Sequence, residues 1–296
     1  MDHRTLVASL PPETRAELLA CSDAAGLKHL ALYGTLLGLT SLGILLRVPL
    51  WPLLVVPQGV LLVFLFTLCH ECTHKTPFRS AWLNEVAGHV SGGLIALPFI
   101  WFRYFHLAHH KWTNDPQRDP ELAGKPRPGN RRDLALYLSG WPYWSGMAKV
   151  LSANARGRFD APYLPERQHP AMRHEARVLL ALYALALASL AISPLVLWLW
   201  IVPLVIGQPF LRLYLLAEHG LCPPVADMLE NSRTTFTTRL VRFLAWNMPY
   251  HAEHHAYPAV PFYRLPALHC WTRTHLKNTS DGYAAFAAQY LAQLKD

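Results

Sequence analysis

The chain is expected to be an all-α integral membrane protein: four transmembrane helices in two hairpins, plus a cytoplasmic helical cap that carries a set of histidine boxes. Three observations lead there. Apolar residues make up 52% of the 296 residues and charged ones 16%, against roughly 25% charged in an ordinary soluble domain. Long stretches hold no Asp, Glu, Lys or Arg. Eight histidines are packed into three short boxes, 70-HECTH-74, 106-HLAHH-110 and 251-HAEHH-255.

Residues 1–29 are polar and carry acids, so they are expected to be a cytoplasmic N-terminal segment without a cleavable signal. Leu30 to Leu46 is a charge-free run of seventeen residues and Val48 to Cys69 one of twenty-two. At about 1.5 Å per residue against a hydrocarbon core of about 30 Å, the second spans easily and the first only just. Arg47, with Pro49 and Pro52 beside it, marks a tight turn, so 30–69 is expected to be the first transmembrane hairpin. Gly34 and Gly38 form a GxxxG motif, expected to make a helix contact. Cys69 and Cys72 form a CxxC with no second pair, expected to be core packing, and the five cysteines suit a reducing compartment.

Residues 70–176 are expected to be a cytoplasmic and interfacial region holding the first two boxes. Within it Val86 to Phe102 is apolar but interrupted by His89, Gly92, Gly93 and Pro98. As a full crossing it would place the second box across the membrane from the first, so an interfacial or re-entrant segment is expected. From Asn114 to Pro170, proline, glycine and charge dominate, and short helices at most are expected. Val178 to Leu211 has thirty-four residues without a charge, about 51 Å as one helix, too long for one crossing. Ser193-Pro194 supplies a break, making 177–217 the second hairpin. The remainder, 218–296, is a cytoplasmic C-terminal part with the third box, cut into short pieces by Pro258, Pro261 and Pro266. The whole is expected to form a single domain.

The net charge is +8. Arg47 is the one Lys or Arg in the two short outer turns, and the other twenty-six are expected on the opposite side or at its helix ends. That side, which carries every box, is therefore cytoplasmic by the positive-inside rule, for instance of a bacterial inner membrane. The charge is mainly topological and implies no nucleic acid partner. Clusters such as Arg127, Arg131 and Arg132, or Arg156 and Arg158, are solvated loops that can also meet anionic headgroups or an acidic protein.

The i, i+3, i+4 spacing of the boxes sets their histidines on one side of a helix. Taken alone, HECTH matches the HExxH helix of zinc proteases, but that reading needs two histidines and one further ligand and leaves the other boxes idle. Burying so many imidazoles without a metal would strand donors and acceptors or gather like charges. His219, in 214-YLLAEHG-220 at the end of the fourth expected crossing, is a ninth candidate at the same depth. His3, His29, His89, His169, His174, His269 and His275 are scattered singly and read as ordinary histidines. Nine imidazoles exceed one ion's needs, so two ions with four or five ligands each are expected; the donors suit Fe, Cu, Ni or Zn.

With the runs 247-NMPYHAEHHAYPAVPFYRLPALH-269 and 106-HLAHHKWTNDPQRDPE-121, the chain strongly resembles the membrane-bound fatty acid desaturase and hydroxylase superfamily, from about the first crossing to His269. The resemblance implies a centre of two Fe ions that activates O₂ and introduces a double bond into a fatty acyl or lipid chain. Hydroxylation, or a small substrate such as an amino-acid derivative, is the alternative outcome. A zinc protease or a metal transporter is the alternative from another class. The implied ligands are His70, His74, His106, His109, His110, His219, His251, His254 and His255. Asn247 matches a polar position that in some members approaches the metal through water, and equally suits a helix N-cap. Glu71, Asp115, Asp119, Glu218 and Glu253 are expected to accept the imidazole N–H groups turned away from the metal, although the Asp-Pro pairs suit plain turns as well. No catalytic residue beyond the metal centre and no organic cofactor site is expected. Lacking a dinucleotide fingerprint, a fused cytochrome b5 segment or an iron–sulfur cysteine set, the chain implies a separate electron donor, of ferredoxin, rubredoxin or cytochrome b5 type, with its reductase.

Overall fold

The computed structural model describes residues 1–123 and 126–295. Two short helices, α1 (His3–Ser9) and α2 (Pro12–Leu18), precede α3 (Asp23–Leu45), which starts where Ser22 Oγ accepts the Ala25 N–H at 3.3 Å. The chain reverses through Arg47 and Leu50, at φ 50° and 63°, and enters α4 (Trp51–His74) with Pro52 in its first turn, where a missing N–H costs nothing. Two helices joined by a tight turn at Arg47 thus stand where the first hairpin was expected, and the first box is the last turn and a half of α4. Tyr33 donates to the Leu61 carbonyl at 2.6 Å, tying α3 to α4. Gln58, in the second turn of α4, donates to Ser41 Oγ at 2.9 Å and to the Leu199 carbonyl at 3.0 Å. A buried amide among apolar side chains needs such partners, and here they join three helical segments.

The next two helices meet at an angle. Helices α5 (Ala81–Leu94) and α6 (Phe99–Trp112) are bent by 99° across Ile95–Pro98. Glu175 holds the bend, accepting from Phe99 N at 2.9 Å and Ile100 N at 3.0 Å, the free donors of the α6 N-terminus, while pairing with His89 at 2.8 Å. The segment read as interfacial or re-entrant is thus no straight helix, and its turn carries the second box back to the first. After the loop come α7 (Arg131–Leu138) and α8 (Trp141–Ala155). At fifteen residues α8 is longer than the short pieces expected there: Gly140 and Pro142, which read as breakers, sit at its start, where both are tolerated.

Helix α9 (His169–Ala188) ends in a 3₁₀ turn, the chain breaks at Ser193-Pro194 as expected, and a π-helical turn (Leu197–Ile201) leads into α10 (Val202–His219). Where α4 and α10 cross, Gly59 faces Gly207: a Cβ on Gly59 would lie 2.3 Å from Pro203 O, and one on Gly207 2.4 Å from Gly59 O. The Gly34/Gly38 motif makes no such contact, since a Cβ at either would meet nothing within 4 Å; that expectation is corrected. Cys69 and Cys72 are fully buried in the core, as expected.

Among the described residues three helices are long and apolar enough to cross a membrane, Trp51–His74, Glu166–Ala191 and Leu197–His219, and the bent pair α5–α6 would make a fourth if counted as one span. Helix α3, expected as the first crossing, is not among them, because it begins in a polar turn carrying Lys28 and His29. Its outer face nonetheless exposes Leu32, Leu36, Leu39 and Leu42.

The C-terminal part is short helices, α11 (Met228–Asn231), α12 (Arg239–Leu244), α13 (His251–Ala256), α14 (Leu265–Thr272) and α15 (Tyr283–Gln293). One departure from an all-α fold is a parallel pair of two-residue strands, β1 (Thr234–Thr235) and β2 (Thr279–Ser280).

Candidate metal centre

Four helices converge on one place: α4 with His70 and His74, α6 with His106, His109 and His110, α10 with His219 as its last residue, and α13 with His251, His254 and His255. Their ring nitrogens form two groups, each within 4.8 Å: His70, His74, His106, His110 and His254, and His109, His219, His251 and His255. The division follows helical geometry. Pairs at i, i+4 stay together (70/74, 106/110, 251/255), while the i+3 histidine of each HxxHH box, His109 or His254, joins the other group. The two boxes thus exchange their middle histidines.

Within the groups, Nε2 faces Nε2: His74 and His106 at 2.8 Å, His251 and His219 at 3.0 Å, His109 and His219 at 3.2 Å, His254 and His110 at 3.2 Å. A neutral ring pair at such a distance can share one N–H···N bond, but His109 and His219 turn their Nδ1 protons to Asp119 and to the Asn231 carbonyl, so two Nε2 lone pairs face each other there and a cation between them relieves the repulsion. Nitrogens about 2.1 Å from a common ion would stand about 3 Å apart. His70 Nε2 and His255 Nε2 are buried without a hydrogen-bond partner among the described residues, which fits the same role. Burial holds His251, His254 and His255 well below the ordinary value of 6.5, and neighbouring imidazoles add to it, so these rings are neutral ligands at pH 7. An all-imidazole donor set of five and four fits two transition-metal ions.

A model of the fatty acid desaturase family matches residues 47–286. The chain belongs to that family. Among its relatives, the sn-1 oleoyl-lipid 12-desaturase of Arthrospira platensis is 23% identical over 238 residues, covering 73% of this chain and 66% of that protein. The bifunctional fatty acid conjugase/Delta(12)-oleate desaturase of Punica granatum is 27% identical over 196 residues, 57% of this chain and 48% of that protein. The sn-1 acyl-lipid omega-3 desaturase (ferredoxin) of Nostoc sp. (strain 36) is 33% identical over 69 residues, 23% of this chain and 19% of that protein. The chain thus spans about half to just under two thirds of the length of the first two.

Around the histidines of this desaturase-family centre, the outward ring nitrogens meet a mixed set of acceptors. Asp119 accepts from His109 Nδ1 at 2.9 Å through Oδ1 and lies 3.0 Å away through Oδ2. Glu218 Oε1 stands 3.2 Å from His251 Nδ1, and Glu71 Oε1 stands 3.5 Å from His254 Nδ1 and 3.6 Å from His70 Nδ1, poorly aligned for hydrogen bonds. Of the expected acceptors Asp119 takes a ring N–H, while Glu71 and Glu218 lie beside the rings without a hydrogen bond to them. Three residues absent from the expectation do the same work as Asp119: the Asn231 carbonyl, 3.2 Å from His219 Nδ1, Ser232 Oγ, 3.3 Å from that atom, and Thr113 Oγ1, 3.1 Å from His255 Nδ1.

Two expected acceptors face elsewhere. Asp115 caps its own turn, accepting from Gln117 N at 2.9 Å and Arg118 Nε at 2.7 Å, because the loop turns its carboxylate outward. Glu253, fully buried, points to the far side of α13, where Thr234 and Thr272 donate to it and His269 pairs with it. His269, read as an ordinary histidine, therefore belongs to the support of the third box. Asn247 does not cap α13, whose N-cap residue is Tyr250; its Nδ2 donates to the Phe262 carbonyl at 3.1 Å.

Proposed function

We propose that this chain is a membrane oxidoreductase that uses O₂ to introduce a double bond into an acyl chain, with two Fe ions held by the nine histidines. The observation that carries this reading is the sorting of all nine into two adjoining groups of five and four. An unactivated C–H bond has no acidic proton and no polarised carbonyl, so acid–base side chains cannot break it; two bound irons would supply the one-electron and O₂ chemistry that the side chains lack. What the chain's own residues do is hold nitrogens in place. Asp119 fixes the proton of His109 on Nδ1, leaving Nε2 free to coordinate, and the Asn231 carbonyl does so for His219. Phe102 stacks on His106 with ring centroids 5.6 Å apart, and Phe66 lies 6.2 Å from His70, keeping water from that side.

In this reading α3 is a fourth crossing, paired with α4 in the hairpin 30–69, and the second hairpin covers 177–217. The centre then lies on the cytoplasmic side of a bacterial inner membrane, at the inner ends of α4 and α10, and 1–296 acts as one unit. Electrons come from a separate donor and its reductase; the ferredoxin in the Nostoc relative's name supports that class. The HExxH protease reading is disfavoured by Glu71, which is fully buried between His70 and His254 and has no route to a peptide.

The test combines metal and product analysis of the purified chain. Two irons per chain are expected, with new double bonds in the acyl lipids of cells carrying the gene and none in a His254→Ala control. One zinc per chain with unchanged lipids would overturn the reading. Hydroxylated products, or a change confined to small metabolites, would select the alternative outcome of the same chemistry.

A further inference from the structure

Seven residues before His219, α10 carries Arg212, the one Lys or Arg between Val178 and His219. Its Nε and Nη2 atoms, which together form one edge of the guanidinium fork, are buried and have no hydrogen-bond partner among the described residues. Glu121, Glu218 and Tyr137 feel its charge, yet neither carboxylate comes within 4.0 Å. Its guanidinium lies over the Tyr143 ring, 4.7 Å from the centroid. One turn earlier on the same face, Gln208 is 1% exposed and its Oε1 has no partner either. Gly140, at the start of α8, makes room for that amide: a Cβ there would strike Gln208 Cγ at 2.7 Å. Trp144, beside Tyr143 on the first turn of α8, has its Nε1 buried and unpaired.

A cation inside a membrane-spanning helix is costly without a partner and by default marks a functional site. Where the start of α8 touches α10 through Gly140–Gln208 and Tyr143–Arg212, the unpaired atoms are a guanidinium edge, an indole N–H and an amide oxygen whose group can be turned end for end. Guanidinium edges bind planar carboxylates through two parallel hydrogen bonds. A hydrocarbon tail alone would have no use for these donors.

We propose that Arg212, supported by Gln208 and Trp144, binds a carboxylate, so that the substrate is a free acid with an apolar chain rather than an acyl group esterified into a lipid. This rests on reading the chain as a desaturase-family oxidoreductase and narrows its substrate. Arg212 and His219 are separated by about 10.5 Å of helix rise. A ligand held by its carboxylate at Arg212 therefore presents carbons several bonds from its head to the histidine groups.

The test is equilibrium binding of octanoate and of methyl octanoate to the full metal-loaded chain in neutral-lipid nanodiscs, without an electron donor, so that no turnover intervenes. Octanoate is expected to bind at least tenfold tighter than the ester. Arg212→Gln is expected to bring the acid to the level of the ester and leave the ester unchanged, and Arg212→Lys to recover part of the preference. Equal binding of acid and ester to the unmodified chain, a result that needs no variant to fold, overturns the proposal, as does a preference that survives Arg212→Gln. Turnover of acyl lipids without any acid preference would sink this site and leave the desaturase reading intact. Acid preference without oxidation of any chain would do the reverse.

Discussion

The rings of His110 and His255 lie stacked, 4.0 Å between centroids and 9° from parallel, although His110 belongs to the five-histidine group and His255 to the four-histidine group. The groups therefore touch ring to ring and are not independent cages. His255→Ala is expected to lower iron content by more than the one ion its own group would hold. In a double-mutant cycle, His110→Ala and His255→Ala should be clearly non-additive in iron retained per chain, as residues in contact usually are. Two independent losses of one ion each would contradict the coupling.

Asp119 and Asp115 are four residues apart, both followed by proline, and predict opposite outcomes. Asp119 is fully buried, accepts from His109 Nδ1 and also takes the Asn114 N–H at 2.8 Å, so it sets both the loop and the histidine tautomer. Asp119→Asn keeps the shape but loses the charge-assisted bond, and is expected to weaken metal binding by about 10–100-fold, measured by chelator competition. Asp115→Asn, whose carboxylate serves only its own exposed turn, should leave both metal affinity and melting temperature unchanged.

The contrast between these two aspartates shows where the sequence becomes legible and where it stops. Eight of the nine histidines stand out because i, i+3 and i+4 spacing is a local signal, His219 by its place at a helix end at the same depth, and local geometry also sorts the boxes between the two groups. The hairpin turn at Arg47 and the break at Ser193-Pro194 are local too. Which aspartate reaches a histidine depends on how the loop after α6 folds back, and no spacing encodes that. Glu253 and His269 are sixteen residues apart on different helices, and Asn231 offers its backbone, which no residue type reveals. Helix α8 was hidden because Gly140 and Pro142 read as breakers when they stand at a helix start. The count of crossings hinges on α3, whose seventeen-residue run sits at the lower limit of a span.

Glu253 tests whether the support of the third box is structural in the sense argued. Its carboxylate joins α13 to Thr234 of β1 and to His269 and Thr272 of α14, on the side of α13 turned away from the metal. Glu253→Leu would strand these donors, and a loss of about 1–3 kcal/mol per unsatisfied buried group is expected, read as a lower melting temperature in detergent. His269→Ala should lower stability in the same direction. Thr234→Val, which removes one donor while keeping the volume, should cost less than either. If Glu253→Leu left melting and iron content untouched, the tie would have no role in holding the box.

The crossing of α4 and α10 makes the last prediction, because it sets the separation of His70 from His219. Gly59 and Gly207 allow backbone to approach backbone there, eleven residues before His70 and twelve before His219. A side chain at Gly207 would have to push the helices apart against the Gly59 carbonyl, 2.4 Å from its Cβ. Helices ending in ligands act as rigid arms, so a displacement at the crossing is carried to the metal groups. Gly207→Leu is expected to cost at least the 1–3 kcal/mol typical of overpacking, roughly, and to reduce iron content as well as melting temperature. Gly34→Leu, made where a Cβ meets nothing within 4 Å, is the matched control and should change neither. Iron retained in full by a folded Gly207→Leu chain would show that the histidine groups are positioned by α6 and α13 alone.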